Sequence, residues 1–75
     1  MNSLLQKVKS SNIQGIGHDN RTEILYVLFN LGGMYSYTPF TKANYNRFRK
    51  AKSKGEYFHK HIKNNSKYTV QKLSL

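Results

Sequence analysis

At 75 residues the chain has room for one domain, with a core near the lower limit of what folds unaided. It holds no cysteine, which excludes disulfides and thiolate metal sites, and no apolar run approaches the roughly 20 residues of a membrane-spanning helix. Thirteen Lys and Arg face three acids for a formal net charge of +10, a balance that points toward a polyanion or another acidic partner.

In chain order, Met1-Asn2-Ser3-Leu4-Leu5-Gln6-Lys7 is too short and too polar for a signal peptide, so a soluble cytoplasmic protein is expected. Lys7-Val8-Lys9 alternates as a short edge strand does. Ser10-Ser11-Asn12 interrupts it with turn-favouring residues. Ile13-Gln14-Gly15-Ile16-Gly17 reads as a second short strand, its glycines marking a bend or a close backbone approach. His18-Asp19-Asn20-Arg21 reads as a turn. Residues 23–29 are the best strand in the chain, rich in β-branched and aromatic residues. Asn30-Leu31-Gly32-Gly33 is a hairpin connection, and Met34-Tyr35-Ser36-Tyr37-Thr38 returns as a strand that Pro39 closes.

The period then becomes helical. Thr41 is the expected N-cap of a helix over 42–51, with Tyr45 and Phe48 on one face and Arg47, Lys50 and Lys54 on the other. Ser53-Lys54-Gly55-Glu56 has the form of a capping box and predicts a second helix over 54–64. Phe58, His61, Ile62 and Asn65 share one of its faces; Lys60, Lys63 and Lys67 share the opposite one. Asn64-Asn65-Ser66 ends it. Tyr68-Thr69-Val70 has the character of a last short strand, and Leu73-Ser74-Leu75 is expected to fray. Strands followed by helices predict an α+β fold: a small antiparallel meander over about 13–38 with two C-terminal helices packed on one face. The expected core is Leu25, Val27, Phe29, Phe48, Phe58 and Ile62.

Three stretches resemble one family. Ser10-Ser11-Asn12-Ile13 with Ile16-Gly17-His18-Asp19 is similar to its opening motif. Gly33-Met34-Tyr35-Ser36-Tyr37 carries its Y-x-Y. Ala51-Lys52-Ser53-Lys54-Gly55-Glu56-Tyr57-Phe58 with His61-Ile62-Lys63 resembles its A-x-S-x-G-x-[YF]-F-x-x-x-I-[KR] signature. The family is the KTSC domain, named for its occurrence at the C-terminus of some lysyl-tRNA synthetases and found also as free-standing bacterial and phage proteins. The likeness runs from about residue 8 to 68, so residues 1–75 read as a single KTSC-like domain. It implies no established activity; its place on a tRNA-charging enzyme implies RNA binding by association. Two positions depart from the pattern. His18 stands where tyrosine is usual, and Tyr26 and Leu28 stand where charged residues are usual, which makes both faces of that strand apolar.

No catalytic constellation is legible. Ser10 and Ser11 have no activating base or glycine elbow and read as turn and capping residues. Asp19 and Glu23 lack an acidic partner for paired acid–base work. His59 and His61 point about 200° apart on a helix and His18 is remote in sequence, so no metal site and no cofactor are expected. His61 is expected to pack beside Phe58 and Ile62, and His59 to face solvent. Gly15, Gly17, Gly32 and Gly33 do not form a phosphate loop. Tyr35 and Tyr37 share a strand face. They are candidates for base stacking, but packing under the helices is favoured in so small a domain.

The charge carries the functional expectation. Residues 1–41 hold a net +1 and residues 42–75 a net +9. Arg47, Lys50, Lys54, Lys60, Lys63 and Lys67 are expected to gather on the outer helical surface, where a merely solvated face normally mixes signs. The first expectation is a non-enzymatic nucleic-acid binding module, RNA before DNA, held mainly through phosphates. The alternative is a protein-interaction module with an acidic partner, docking through Ile24, Tyr26 and Leu28. That reading includes a phage-encoded modulator or inhibitor of a host machine such as RNA polymerase, acting in the host cytoplasm, and self-association through strand 23–29. A small hydrolase is a third class, set aside for want of a nucleophile and base.

Overall fold

The computed structural model describes residues 5–8 and 10–73. The expectations placed on residues 1–4, Lys9, Ser74 and Leu75 lie outside the described residues. Five strands form one antiparallel sheet: β1 (Leu5–Lys7), β2 (Ile13–Asp19), β3 (Ile24–Phe29), β4 (Met34–Thr38) and β5 (Thr69–Leu73), in the spatial order β1-β2-β3-β4-β5. Between β4 and β5 the chain makes α1 (Lys42–Lys50) and α2 (Lys54–Tyr57), the latter running on into a π-turn at Phe58–Ile62. The fold is α+β, as the order of patterns predicts, and both helices lie on one face of the sheet. The last strand, expected over Tyr68-Thr69-Val70, runs Thr69–Leu73 and pairs with β4, so Leu73, expected to fray, is held opposite Met34.

Local chemistry explains the element ends. The stretch 18–21, expected as a turn, is half strand, because His18 and Asp19 still pair with Leu25 and Ile24. The turn begins at Asn20, and Asp19 Oδ1 accepts the Arg21 N–H at 3.0 Å, an arrangement that holds the Asp19 carboxyl below its ordinary pKa. A register shift between Ile13 and Gly15 marks a bulge in β2. Gly32 and Gly33, at φ 92° and 100°, supply the left-handed backbone of the β3–β4 hairpin. Thr41 Oγ1 accepts the Asn44 N–H at 3.2 Å and Ser53 Oγ accepts the Glu56 N–H at 3.2 Å, so both predicted caps form. The second helix stops at Ile62, two residues early, because the Lys63 N–H reaches back five residues to the Phe58 carbonyl at 2.8 Å and Asn64 turns left-handed at φ 60°.

The core lies between the helices and one sheet face. Ile13, Ile16, Leu25, Val27 and Tyr37 meet Phe40, Phe48, Phe58 and Ile62 there. The Phe58 ring packs edge-on against Phe29 and Tyr37, at centroid distances of 5.4 and 5.6 Å. Phe29 is half-buried at the margin rather than inside. Phe40 joins the core unforeseen. It precedes the Thr41 cap, where an apolar residue closes the entry to a helix. Among the described residues no helix lies on the opposite sheet face. Register places Leu5, Tyr26 and Ser36 in one row across it, and Lys7, Leu28, Met34 and Leu73 in the next.

Candidate nucleic-acid interface

Helix α2 and its π-turn form a ridge across the sheet, with Phe58 and Ile62 turned down into the core. The wider turn of a π-helix keeps residues four apart nearly in line. His59 and Lys63 therefore stand on one flank of the ridge, and Tyr57 and His61 on the other. Each flank borders a groove.

The first groove, of about 660 Å³, lies between the ridge and the β3–β4 hairpin and is lined by Asn12, Asn30, Tyr35, Tyr37, His59 and Lys63 among others. Tyr37 is 5% exposed and belongs to the core, the reading favoured from sequence. Burial pushes its phenol up to about 12. Tyr35 is half-buried with its ring edge-on to Phe29, so of the two tyrosines it alone offers appreciable surface.

The second groove, of about 460 Å³, lies between the ridge and α1 and is closed by the turn leading to β5. Arg47 of α1 and Lys67 of that turn both line it, with no carboxylate among the described lining residues. Arg47 Nη1 donates to Asn44 Oδ1 at 2.8 Å, and Asn44 Nδ2 donates in turn to Tyr68 Oη at 3.4 Å. Lys67 is set by a turn in which its N–H donates to Asn65 Oδ1 at 3.0 Å. Burial raises the Tyr68 phenol above its ordinary pKa.

The six predicted bases thus divide. Arg47 and Lys67 meet in the second groove, and Lys63 borders the first. Lys60 and Lys50 are exposed. Because the helix ends at Ile62, Lys60, Lys63 and Lys67 do not form the single helical stripe that their spacing suggests. Lys54 is half-buried, and its Nζ donates to the Ala51 carbonyl at 2.8 Å, tying the corner between the two helices. It acts in the fold first. His61, expected to pack beside Phe58 and Ile62, is exposed and leans on Tyr57 at a centroid distance of 4.6 Å. His59 faces solvent. His18 is half-buried: its Nε2 is hydrogen-bonded to the Phe40 carbonyl, and its ring stacks on Tyr45 at 5.1 Å. Among the described residues no group of three or more His, Asp or Glu side chains stands within reach of one ion, and no helix is long and apolar enough to cross a membrane.

The family model of the KTSC domain matches residues 9–68, most of the chain. This protein belongs to the KTSC domain family. A crystal structure of a KTSC domain protein from Yersinia pestis is similar at 33% identity, covering 93% of this chain and 96% of that one with a TM-score of 0.87. No match is found among curated proteins. In this KTSC domain the motif residues serve mainly the fold. Ser10 Oγ accepts the N–H groups of Asn12 and Ile13, Tyr37, Phe58 and Ile62 fill the core, and Ser53 caps a helix. The groove residues Asn44, Tyr57, His61 and Tyr68 were not marked as site residues by sequence. Tyr57 and His61 carried one usable signal, aromatic rings four residues apart beside a core-facing Phe58.

Proposed function

We propose that this KTSC domain is a non-enzymatic nucleic-acid binding module, engaging single-stranded RNA mainly through its phosphates. The observation that carries the reading is that Arg47 and Lys67, from separate elements, both line one groove together with Tyr57 and Tyr68, with no carboxylate among its described lining residues. A solvated basic face has no need to converge on a concave site. Lys50, Lys60 and Lys63 extend positive charge beyond it, and Glu56 is the one acid in residues 42–75. Phosphate contacts of this kind release counterions, so they bind without reading sequence. The family's place on some lysyl-tRNA synthetases favours RNA over DNA.

Titration of labelled single-stranded RNA at two salt concentrations tests the reading. Affinity should fall with a logarithmic slope of about 0.7 per phosphate neutralised. The combined variant Arg47→Gln, Lys50→Gln, Lys60→Gln, Lys63→Gln should lose most of the binding and keep its thermal stability, because none of the four is in the core. Absence of binding at low salt would remove the reading.

The sheet face that no described helix covers favours a second reading, a protein-interaction module. Ile24, Tyr26 and Leu28 lie there beside Met34 and Leu73, all half-buried by their neighbours alone. Two copies at +10 each repel, so an acidic protein surface suits this face better than a second copy. Its finer form, a phage-encoded modulator of a host machine such as RNA polymerase, rests on the resemblance.

A further inference from the structure

The groove between α1 and the π-turn joins aromatic side chains to its two cations, Arg47 and Lys67. Phe48, Tyr57 and His61 form an aromatic column that starts in the core and ends at the surface. Phe48 is fully buried and stacks on Tyr57 at 5.5 Å and 24°; Tyr57 leans on His61 at 4.6 Å and 44°. His61 is exposed, so the column ends in an imidazole that borders the groove. Tyr68, backed by Phe40 at 5.1 Å, forms another aromatic part of the wall. Anion donors stand in the same groove. Arg47 spends one guanidinium N–H on Asn44 and keeps the rest of its fork, while the backbone of Lys67 is held by the turn at Asn65.

We propose that this groove is a pocket for one nucleoside phosphate unit, its phosphate held by Arg47 and Lys67 and its base stacked on the end of the Phe48–Tyr57–His61 column. The inference rests on the nucleic-acid reading above and gives it a definite site. About 460 Å³ lies in the range of small-ligand pockets. A flat base extends an aromatic column where an aliphatic group does not, and such stacking tolerates any base because every base has a π-face. The cations alone would take any phosphate. The column is what separates a nucleotide from inorganic phosphate.

Amide NMR of the full chain at low salt tests this, with adenosine 5′-monophosphate, inorganic phosphate, adenosine and a short oligoadenylate as separate probes. The monophosphate should shift the amides of Asn44, His61 and Lys67 and bind at least about tenfold tighter than phosphate or adenosine, a gap of the size stacking supplies. Arg47→Gln and Lys67→Gln, at exposed positions, should each weaken it several-fold. His61→Ala should bring the monophosphate down to the affinity of phosphate. Equal affinity for monophosphate and phosphate, or shifts that gather at Lys50 and Lys60 instead, would overturn the proposal. The oligoadenylate separates the sources and the two claims. Tighter binding with the same groove shifts makes the nucleotide part of a strand. Oligoadenylate binding that leaves the groove amides and the His61→Ala affinity unmoved sinks the pocket while the nucleic-acid reading survives. A monophosphate seated in the groove with no oligoadenylate binding keeps the pocket and removes that reading.

Discussion

Gly55, at the start of α2, faces Ser10 in the loop before β2: a Cβ on Gly55 would stand 3.4 Å from Ser10 Oγ and 3.9 Å from Asn12 Nδ2. This contact joins the first and third motifs, which are far apart in sequence. The glycine has an ordinary backbone conformation, so its role is space rather than φ. Gly55→Ala should therefore be neutral or stabilising, since an alanine fits at van der Waals contact and gains up to about 1 kcal/mol of helix propensity. Gly55→Leu should push the loop off the helix and cost roughly 1–3 kcal/mol. Urea melts of the two variants check this. Equal destabilisation by both would mean the position is limited by backbone and not by Ser10.

Phe58 is the ring on which the sheet and the helices converge, touching Phe29 and Tyr37 edge-on. Phe58→Ala should cost roughly 3–5 kcal/mol. A loss of that size approaches the whole stability of a domain this small. A thermal melt with no shift would put the ring outside the core.

Tyr37 makes the fold sensitive to alkali. Its phenol is buried and pushed up to about 12, burial acting first and the neighbouring Tyr35 adding to it. In the unfolded chain it ionises near 10. A folded pKa raised above the unfolded one leaves stability intact below about pH 10 and removes it as pH climbs toward 12, by roughly 2–3 kcal/mol over the window. Denaturation midpoints measured across that window should fall more steeply in the wild type than in Tyr37→Phe. Parallel curves would show that Tyr37 does not drive the decline.

The strands, caps and helices of this chain were legible because each rests on local chemistry: the alternation in β3, the glycines at the hairpin, Thr41 and Ser53 before their helices. What escaped was decided by partners distant in sequence or by a change of helical pitch. β5 is exposed over most of its length, and its polar pattern gives no sign of burial. It holds by pairing with β4. Lys54 looked like one more surface base until the helix corner supplied the Ala51 carbonyl. The π-turn turned His61 away from Phe58 and Ile62, because a pattern read at about 100° per residue presumes a regular α-helix, and the end of the helix at Ile62 split Lys63 from Lys67. The second groove was hidden for the same reason, since its walls come from α1, the π-turn and the turn before β5.

The two faces of the molecule can be separated by mutation. Tyr26 and Leu28 stand on the sheet face away from the helices, where the family pattern has charged residues. If RNA is bound by the helical side, Tyr26→Ser with Leu28→Ser should leave RNA affinity within about twofold, because both side chains lie on the sheet face opposite the helices and distant sites couple weakly. The quadruple glutamine variant should lose it. An acidic protein partner gives the reverse pattern. The double serine variant then removes binding, and the glutamine variant mainly slows association, as loss of steering charge does. Sedimentation of the free protein adds a control. Self-repulsion at +10 should keep it monomeric at low salt. A dimer there that Tyr26→Ser with Leu28→Ser dissolves would mean the open face is occupied by a second copy. Loss of RNA binding in the serine variant, with its melt unchanged, would move the RNA path onto the sheet and end the case for the helical side.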